Sequence, residues 1–142
     1  MNIDGSFRDV QGIGGTGVTI RDSIGSFIAG SCSYLEHVMD AATLEIMALR
    51  EGLLLAQHIG CSSLIIQSDS LEVVETVRLG ISSLVGGPIY DECFSLRQEF
   101  DAISIEHYDR EANCVAHEIA KVALSLEENC IWVDEPPTSI FD

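Results

Sequence analysis

Short alternating or continuous apolar segments in the first quarter of the chain are typical of β-strands. Residues 2–8, 18–21 and 26–34 follow this pattern. Residues 22–25 between the second and third segments are turn-forming residues, so these two segments are predicted to pair as neighbours. The chain therefore begins with a predicted three-stranded antiparallel meander.

Helical periodicity dominates the rest of the chain and alternates with two further strand patterns. The elements predicted from it are a helix at 41–59 with Asp40 as its N-cap and Gly60 at its end, a strand at 64–68, a helix at 70–79, an uncharged loop at 80–88, a helix at 89–100, a strand at 102–107, and a helix at 114–126 that Asn113 would cap. The order βββαβααβα predicts an α/β domain with a mixed sheet flanked by helices. We place this domain at residues 1–128 and a loose C-terminal tail at 129–142.

Four glycines lie close together at residues 12–17 and allow two interpretations. They could form a phosphate-binding loop, or they could mark a strand entrance or bulge. No G-x-x-x-x-G-K-[ST] pattern is present and no helix is predicted to follow. The strand interpretation is therefore favoured.

Three acidic residues stand at positions where carboxylates carry chemistry. Asp69 follows the apolar strand at 64–68 directly, and open α/β sheets bind ligands at the carboxyl ends of strands. Glu45 lies on a small-residue stripe of the first helix, where a carboxylate is costly unless it is paired or binds a cation. Asp4 lies on the first strand and could reach the same edge. Two structural alternatives remain open: Asp69 with Glu72 could form a helix N-cap pair, and Glu45 could reach water at the flank of the stripe.

Composition and net charge limit the kinds of molecule that the protein could bind. The chain has 142 residues, 46% hydrophobic residues and a mean hydropathy of +0.25, which suits one globular domain. The net charge is −16 and none of the seven basic residues is adjacent to another, which argues against tight non-specific binding to phosphate backbones. Cation binding, weak or metal-bridged contact with nucleic acid, and a basic protein partner remain compatible with this charge.

Cysteine usage and the termini bear on the compartment. Five cysteines without a C-x-x-C pair disfavour a zinc site or a disulfide framework and suggest a reducing compartment. No signal peptide or membrane-spanning apolar run is found. We expect an intracellular protein, cytoplasmic or nuclear and without a membrane partner. A strand that begins almost at the first residue further suggests a domain taken from a larger parent polypeptide.

Four segments together resemble a known family. They are residues 2–6 (NIDGS), 42–49 (ATLEIMAL), 66–70 (IQSDS) and 110–116 (REANCVA). In order and context they are similar to ribonuclease H-like domains of the type 1 family, and most of all to the plant subgroup found beside retrotransposon-type reverse transcriptase sequences. The resemblance covers about residues 2–125.

The resemblance implies a ribonuclease H-like five-stranded mixed sheet and hydrolysis of the RNA strand of RNA–DNA hybrids. It further implies two Mg²⁺ (or Mn²⁺) ions held by four carboxylates, which clamp the attacking and leaving oxygens. Asp4 would bridge the ions from the first strand, Glu45 would reach them from the helix, and Asp69 would bind at the end of the fourth strand.

The chain departs from the family pattern at three places. The fourth carboxylate is replaced by His117, a softer and uncharged match to Mg²⁺, and Glu118 lies about 100° round the helix. His117 could equally be a helix histidine without a function. The loop at 108–112 lacks the histidine of bacterial-type enzymes, for which His107 on the preceding strand is a poor substitute. Residues 80–95, where family enzymes often carry a basic substrate-gripping protrusion, contain no Lys or Arg.

Two functions follow from these observations. The first is a weak two-metal endonuclease with Asp4, Glu45, Asp69 and His117 as catalytic residues and the three acids as metal ligands. Its affinity for an RNA–DNA hybrid would be poor, since two divalent cations would offset only a quarter of the net charge. The alternative is a catalytically inactive ribonuclease H-like module that binds a protein or forms part of a larger polypeptide. A small-molecule-binding domain has no support in the sequence.

Overall fold

The computed structural model describes residues 1–80 and 87–136 and shows a six-stranded mixed sheet with four helices. The elements in chain order are β1 Asn2–Arg8, β2 Ile13–Arg21, β3 Phe27–Leu35, α1 Ala41–His58, β4 Ser63–Ser68, α2 Leu71–Leu79, α3 Gly87–Arg97, β5 Ala102–His107, α4 Cys114–Leu126 and β6 Cys130–Val133. The strands lie in the order β5-β4-β1-β2-β3-β6. The α/β class, the mixed sheet and the predicted order of elements are confirmed.

Strand pairing explains why the sheet is mixed. β1, β2 and β3 form the predicted antiparallel meander, whereas β4 pairs parallel to β1 and β5 pairs parallel to β4. The parallel pairs need long crossover connections, which α1 and then α2 with α3 supply. The parallel register aligns Ile3 with Ser68. The next residue of each strand, Asp4 and Asp69, therefore lies at the same edge of the sheet.

The sixth strand is a difference from the five-stranded expectation. β6 pairs antiparallel with β3 from Ala29↔Val133 to Cys32↔Cys130. It is only four residues long, too short for a periodic pattern to be recognised in the sequence. Trp132 and Cys130 pack against a small apolar cluster beneath α4, which gives this short edge strand its anchor.

The main core lies between the sheet and the helices α1 to α3. Its largest fully buried side chains come from both layers and are Tyr90, Ile3, Ile20, Ile46, Leu49, Ile66, Val18, Val73 and Val74. The predicted uncharged loop at 80–88 falls mostly on residues outside the described ranges, as does the end of the predicted tail. No helix in the described part of the chain is both long and apolar enough to span a bilayer.

The glycines at residues 12–17 do not mark a strand entrance alone. β2 begins at Ile13, so three of them lie inside the strand, and the only register shift between β2 and β3 among the described residues is at Ile20/Arg21. A Cβ on Gly17 would collide with the backbone carbonyl oxygen of Ala116, and one on Gly15 with that of Ala120. The glycines therefore let α4 lie directly on the backbone of β2.

Candidate active site

The three acidic residues singled out in the sequence meet at one edge of the sheet. Asp4, Glu45 and Asp69 each offer one oxygen atom that lies within 4.8 Å of the oxygens of the other two. Asp4 comes from the middle of β1, Glu45 from the first turns of α1, and Asp69 from the residue after β4. The predicted convergence of these side chains is thus present in the fold.

Local sequence explains how each acid reaches the cluster. Gly5 has no side chain, which lets α1 approach β1, and its backbone N–H donates to Glu45 Oε1 at 3.3 Å. Glu45 is half-buried, with its Oε2 enclosed and its side chain lining the cavity beside Asp69. Asp69 is not the N-cap of α2, since Ser70 accepts the Val73 N–H in that role. The structural alternative for Asp69, an N-cap, is therefore wrong.

The cluster is electrostatically strained. Asp4 is fully buried, and burial together with the negative charge of Asp69 raises its pKa, although the hydrogen bond from His117 opposes this shift. Burial and the charges of Asp4 and Asp69 raise the pKa of Glu45 from 4.5 to about 9. Without a cation, these groups therefore resist being ionised together.

Unpartnered oxygens show where a cation would fit. Asp4 Oδ1, Glu45 Oε2 and Asp69 Oδ2 are buried and accept no hydrogen bond from any described residue. Buried oxygens normally have a partner, and hard carboxylate oxygens are the ligands that Mg²⁺ and Mn²⁺ prefer. The residues present therefore fit a divalent cation.

His117 touches the cluster but is engaged with one of its acids. Its Nδ1 lies 2.7 Å from Asp4 Oδ2, within hydrogen-bond distance. The side chain is 26% exposed, so it is neither a free surface residue nor a core residue. This partial burial fits both predictions for the position, a residue of the site and a helix histidine without a function, and the contact with Asp4 favours the first.

Arg110 and His107 flank the cluster on its open side. Arg110 Nε forms a long ion pair with Asp69 Oδ2 at 3.5 Å, outside hydrogen-bond geometry, and the side chain is 72% exposed. His107 Nε2 lies 3.3 Å from the backbone oxygen of Asp69. Both line a cavity of about 520 Å³ that also includes Glu45 and Asp69. Sequence reasoning noted Arg110 only as part of a motif, because a loop residue carries no periodicity that would assign it a contact.

Asn113 links α4 to β1 beside the acids. It occupies the N-cap position of α4 but makes no capping hydrogen bond with its side chain. Instead its Oδ1 accepts from Asn2 Nδ2 at 2.8 Å, and its Nδ2 donates to the Ile3 carbonyl oxygen at 2.7 Å. The predicted cap is therefore wrong in its contacts, and Asn113 fixes the start of α4, with His117 one turn later, against β1.

Comparisons with known proteins agree with this geometry. The model of the family described as "Reverse transcriptase-like" matches residues 2–123. No curated protein sequence gives a significant match.

Solved structures with a similar fold are ribonucleases H. The RNase H1 of the halophilic archaeon Halobacterium salinarum is 23% identical over 87% of this chain and 95% of its own, with a TM-score of 0.77. The N-terminal RNase H domain of a Mycobacterium tuberculosis protein is 25% identical over 88% and 93%, with a TM-score of 0.78. LC11-RNase H1, solved in complex with an RNA/DNA hybrid, is 21% identical over 89% and 96%, with a TM-score of 0.80.

Proposed function

Since the chain belongs to the reverse transcriptase-like family and has a ribonuclease H-like fold, we propose that it is a divalent-cation-dependent nuclease acting on the RNA strand of RNA–DNA hybrids. The observation that carries this proposal is the convergence of Asp4, Glu45 and Asp69, each with a buried oxygen that accepts no hydrogen bond from a described residue. Such oxygens are costly in the absence of a ligand, and a fold that only needed to be stable would not require them. The relative LC11-RNase H1, whose structure was solved with an RNA/DNA hybrid, supports the choice of substrate.

Each residue near the cluster has a distinct proposed part in this activity. Asp4, Glu45 and Asp69 would hold Mg²⁺ or Mn²⁺, and the cation would supply the positive charge that activates water and stabilises the leaving oxygen. His117 fixes the Asp4 carboxylate through the 2.7 Å contact. Arg110, exposed at the mouth of the cavity, is suited to meet a phosphate of the substrate.

Weak activity is part of the proposal. His117 brings no negative charge to the position of the fourth carboxylate, and residues 80–95 contain no basic side chain to grip a hybrid. With a net charge of −16, long-range repulsion also slows the approach of a polyanion. The same three observations favour the second candidate function, a catalytically inactive module that contacts a protein or belongs to a larger polypeptide.

The wider setting of the domain is also proposed. The Mycobacterium relative is the N-terminal domain of its protein, and we place this chain likewise within a larger polypeptide. The four sequence motifs favour the plant, retrotransposon-associated subgroup. Five cysteines, all free, favour the cytoplasm or the nucleus.

A hybrid-cleavage assay tests the function. The wild-type protein should cut the RNA strand of a labelled RNA–DNA hybrid in Mn²⁺ or Mg²⁺ but not in chelator, and should spare duplex DNA. Asp69→Asn should reduce cleavage by at least about 100-fold, since it removes one of the ligand charges. Asp101→Asn, which removes an exposed acid at the opposite end of β5, is the matched control and should cut like the wild type. No cation-dependent cleavage by folded wild-type protein would reject the nuclease and leave the inactive module.

A further inference from the structure

The two carboxylate oxygens of Asp4 have different environments. Oδ1 is buried and unpartnered, whereas Oδ2 lies 2.7 Å from His117 Nδ1. Asp4 is fully buried, and its strand is held between β2 and β4, so the carboxylate has little freedom to rotate away. One oxygen of Asp4 is thus open to a cation, and the other is occupied by the imidazole.

Asp4 Oδ1 is one of three buried carboxylate oxygens in the cluster that accept no hydrogen bond from a described residue, with Glu45 Oε2 and Asp69 Oδ2. One oxygen from each of Asp4, Glu45 and Asp69 falls within 4.8 Å of the others, so small side-chain shifts would bring all three to a single ion. Mg²⁺ keeps several waters and needs few protein carboxylates, so three oxygens on one side are enough for one ion. This side of Asp4 is complete as a cation site.

The His117 side of Asp4 lacks what a second ion would need. A second divalent ion there would have to compete with His117 for Oδ2 and find another anionic ligand close by. Glu118, the next residue, turns outward: its side chain is 54% exposed and pairs with Lys121 Nζ at 3.6 Å. Among the described residues, the one group of three or more possible metal ligands with atoms within 4.8 Å of one another is Asp4, Glu45 and Asp69, and it includes neither His117 nor Glu118.

We propose that this centre binds one divalent cation where the family resemblance implies two, and that His117 is a positioning residue that reserves Asp4 Oδ2 and excludes the second ion. The inference rests on the proposed function only in using the same three acids. It assigns His117 a definite role: its imidazole takes the place of the second cation beside Asp4. Weak catalysis then has a structural cause at the cluster, separate from poor substrate binding.

Cation stoichiometry tests this directly. Mn²⁺ titrated into the folded protein without nucleic acid should bind at about one ion per chain by calorimetry, with the electron paramagnetic resonance spectrum of an isolated ion. His117→Asp should bind about two ions and show the spectrum of an exchange-coupled pair, because it frees Oδ2 and adds a carboxylate. His58→Asp makes the same change at an exposed position in the last turn of α1 and should stay at one.

Two coupled ions in the wild-type protein would overturn the proposal, as would a folded His117→Asp variant that still binds one. If that variant fails to fold, the wild-type spectrum alone decides between one isolated ion and a coupled pair. Cleavage is scored separately. One ion without hybrid cleavage supports this inference and rejects the nuclease, whereas two ions with cleavage do the reverse.

Discussion

Two buried polar clusters lie side by side on the first three residues of β1, and they differ in whether their polar atoms have hydrogen-bond partners. Around Asn113, the side-chain oxygen accepts from Asn2 and the side-chain nitrogen donates to the Ile3 carbonyl, so both heavy atoms have partners. Around Asp4, three carboxylate oxygens accept no hydrogen bond from a described residue, and one of them, Asp69 Oδ2, has only the long ion pair with Arg110. The first cluster holds the fold together on its own, whereas the second is complete only with a ligand.

The contrast teaches how to separate structure from function at one location. Both clusters are buried, both connect distant parts of the chain, and both contain residues of the same sequence motifs. Burial alone therefore does not identify the site. The distinguishing property is whether the buried polar atoms have hydrogen-bond partners. The Asn113 cluster should therefore stabilise the folded protein, whereas the Asp4 cluster should destabilise it until a cation is bound.

The largest expected effect on stability comes from breaking the satisfied cluster. Asn113→Ala removes two buried hydrogen bonds and leaves the Ile3 carbonyl oxygen without its partner, so the free energy of unfolding should fall by about 3 kcal/mol. Urea denaturation measures this change. Asn129→Ala removes one exposed hydrogen bond, to the Tyr34 N–H, and should cost less than about 1 kcal/mol. Equal losses in the two variants would remove the contrast between the clusters.

A smaller effect is expected from the linkage between cations and pH at the unsatisfied cluster. The pKa of Glu45 is raised from 4.5 to about 9, so the stability that its proton contributes is fully present below pH 4.5 and is lost as the pH rises through about 9. A cation must displace that proton, and its stabilising effect should therefore grow with pH, by at most about 1.4 kcal/mol per pH unit.

Thermal or urea unfolding at fixed Mg²⁺, repeated between slightly acidic and slightly alkaline pH, checks this linkage. Glu45→Gln has no proton to release and should flatten the dependence. A cation effect in the wild-type protein that does not change with pH would contradict the assignment of Glu45 to the cation site.

The smallest expected effect has the opposite sign to that of Asn113→Ala. Asp4→Asn removes one of the crowded negative charges, so in chelator the free energy of unfolding should rise by about 1 kcal/mol. The same substitution should abolish the cation's stabilising effect. Denaturation in chelator and in Mg²⁺ measures both quantities, and a clear loss of stability in chelator would mean that Asp4 is a structural residue like Asn113.

Local pattern was sufficient for most of the fold. The helix at 114–126 was bounded correctly because a turn region precedes a strong amphipathic segment, and α1 ended within one residue of its prediction because Gly60 follows it. β6 was missed because pairing with β3 and packing of Trp132 create it, and neither is visible in four residues. β2 begins at Ile13, five residues before its predicted start, because glycines in a sequence indicate a turn and the reason for them here, close packing of α4, is visible only in the fold.

The site likewise has residues that could be predicted from the sequence and contacts that could not. Asp4, Glu45 and Asp69 could be predicted to converge because a parallel pair of strands brings Asp4 and Asp69 to one edge, and a buried stripe carries Glu45 there. The contacts of His117 and Asn113 could not, since both depend on where α4 sits relative to β1. Which oxygen of a carboxylate is already occupied is a property of the assembled fold alone.

The bare backbone of β2 under α4 has a consequence for how the domain can vary. Because Gly15 and Gly17 touch the main chain of α4, no flexible side chain lies between them that could move to make room for a larger residue. A single methyl group at either position would lift the whole helix and carry its first turn away from the sheet. Variation at these two glycines, of which Gly17 pairs with Asp4 across β1 and β2, would then change the position of His117 relative to Asp4.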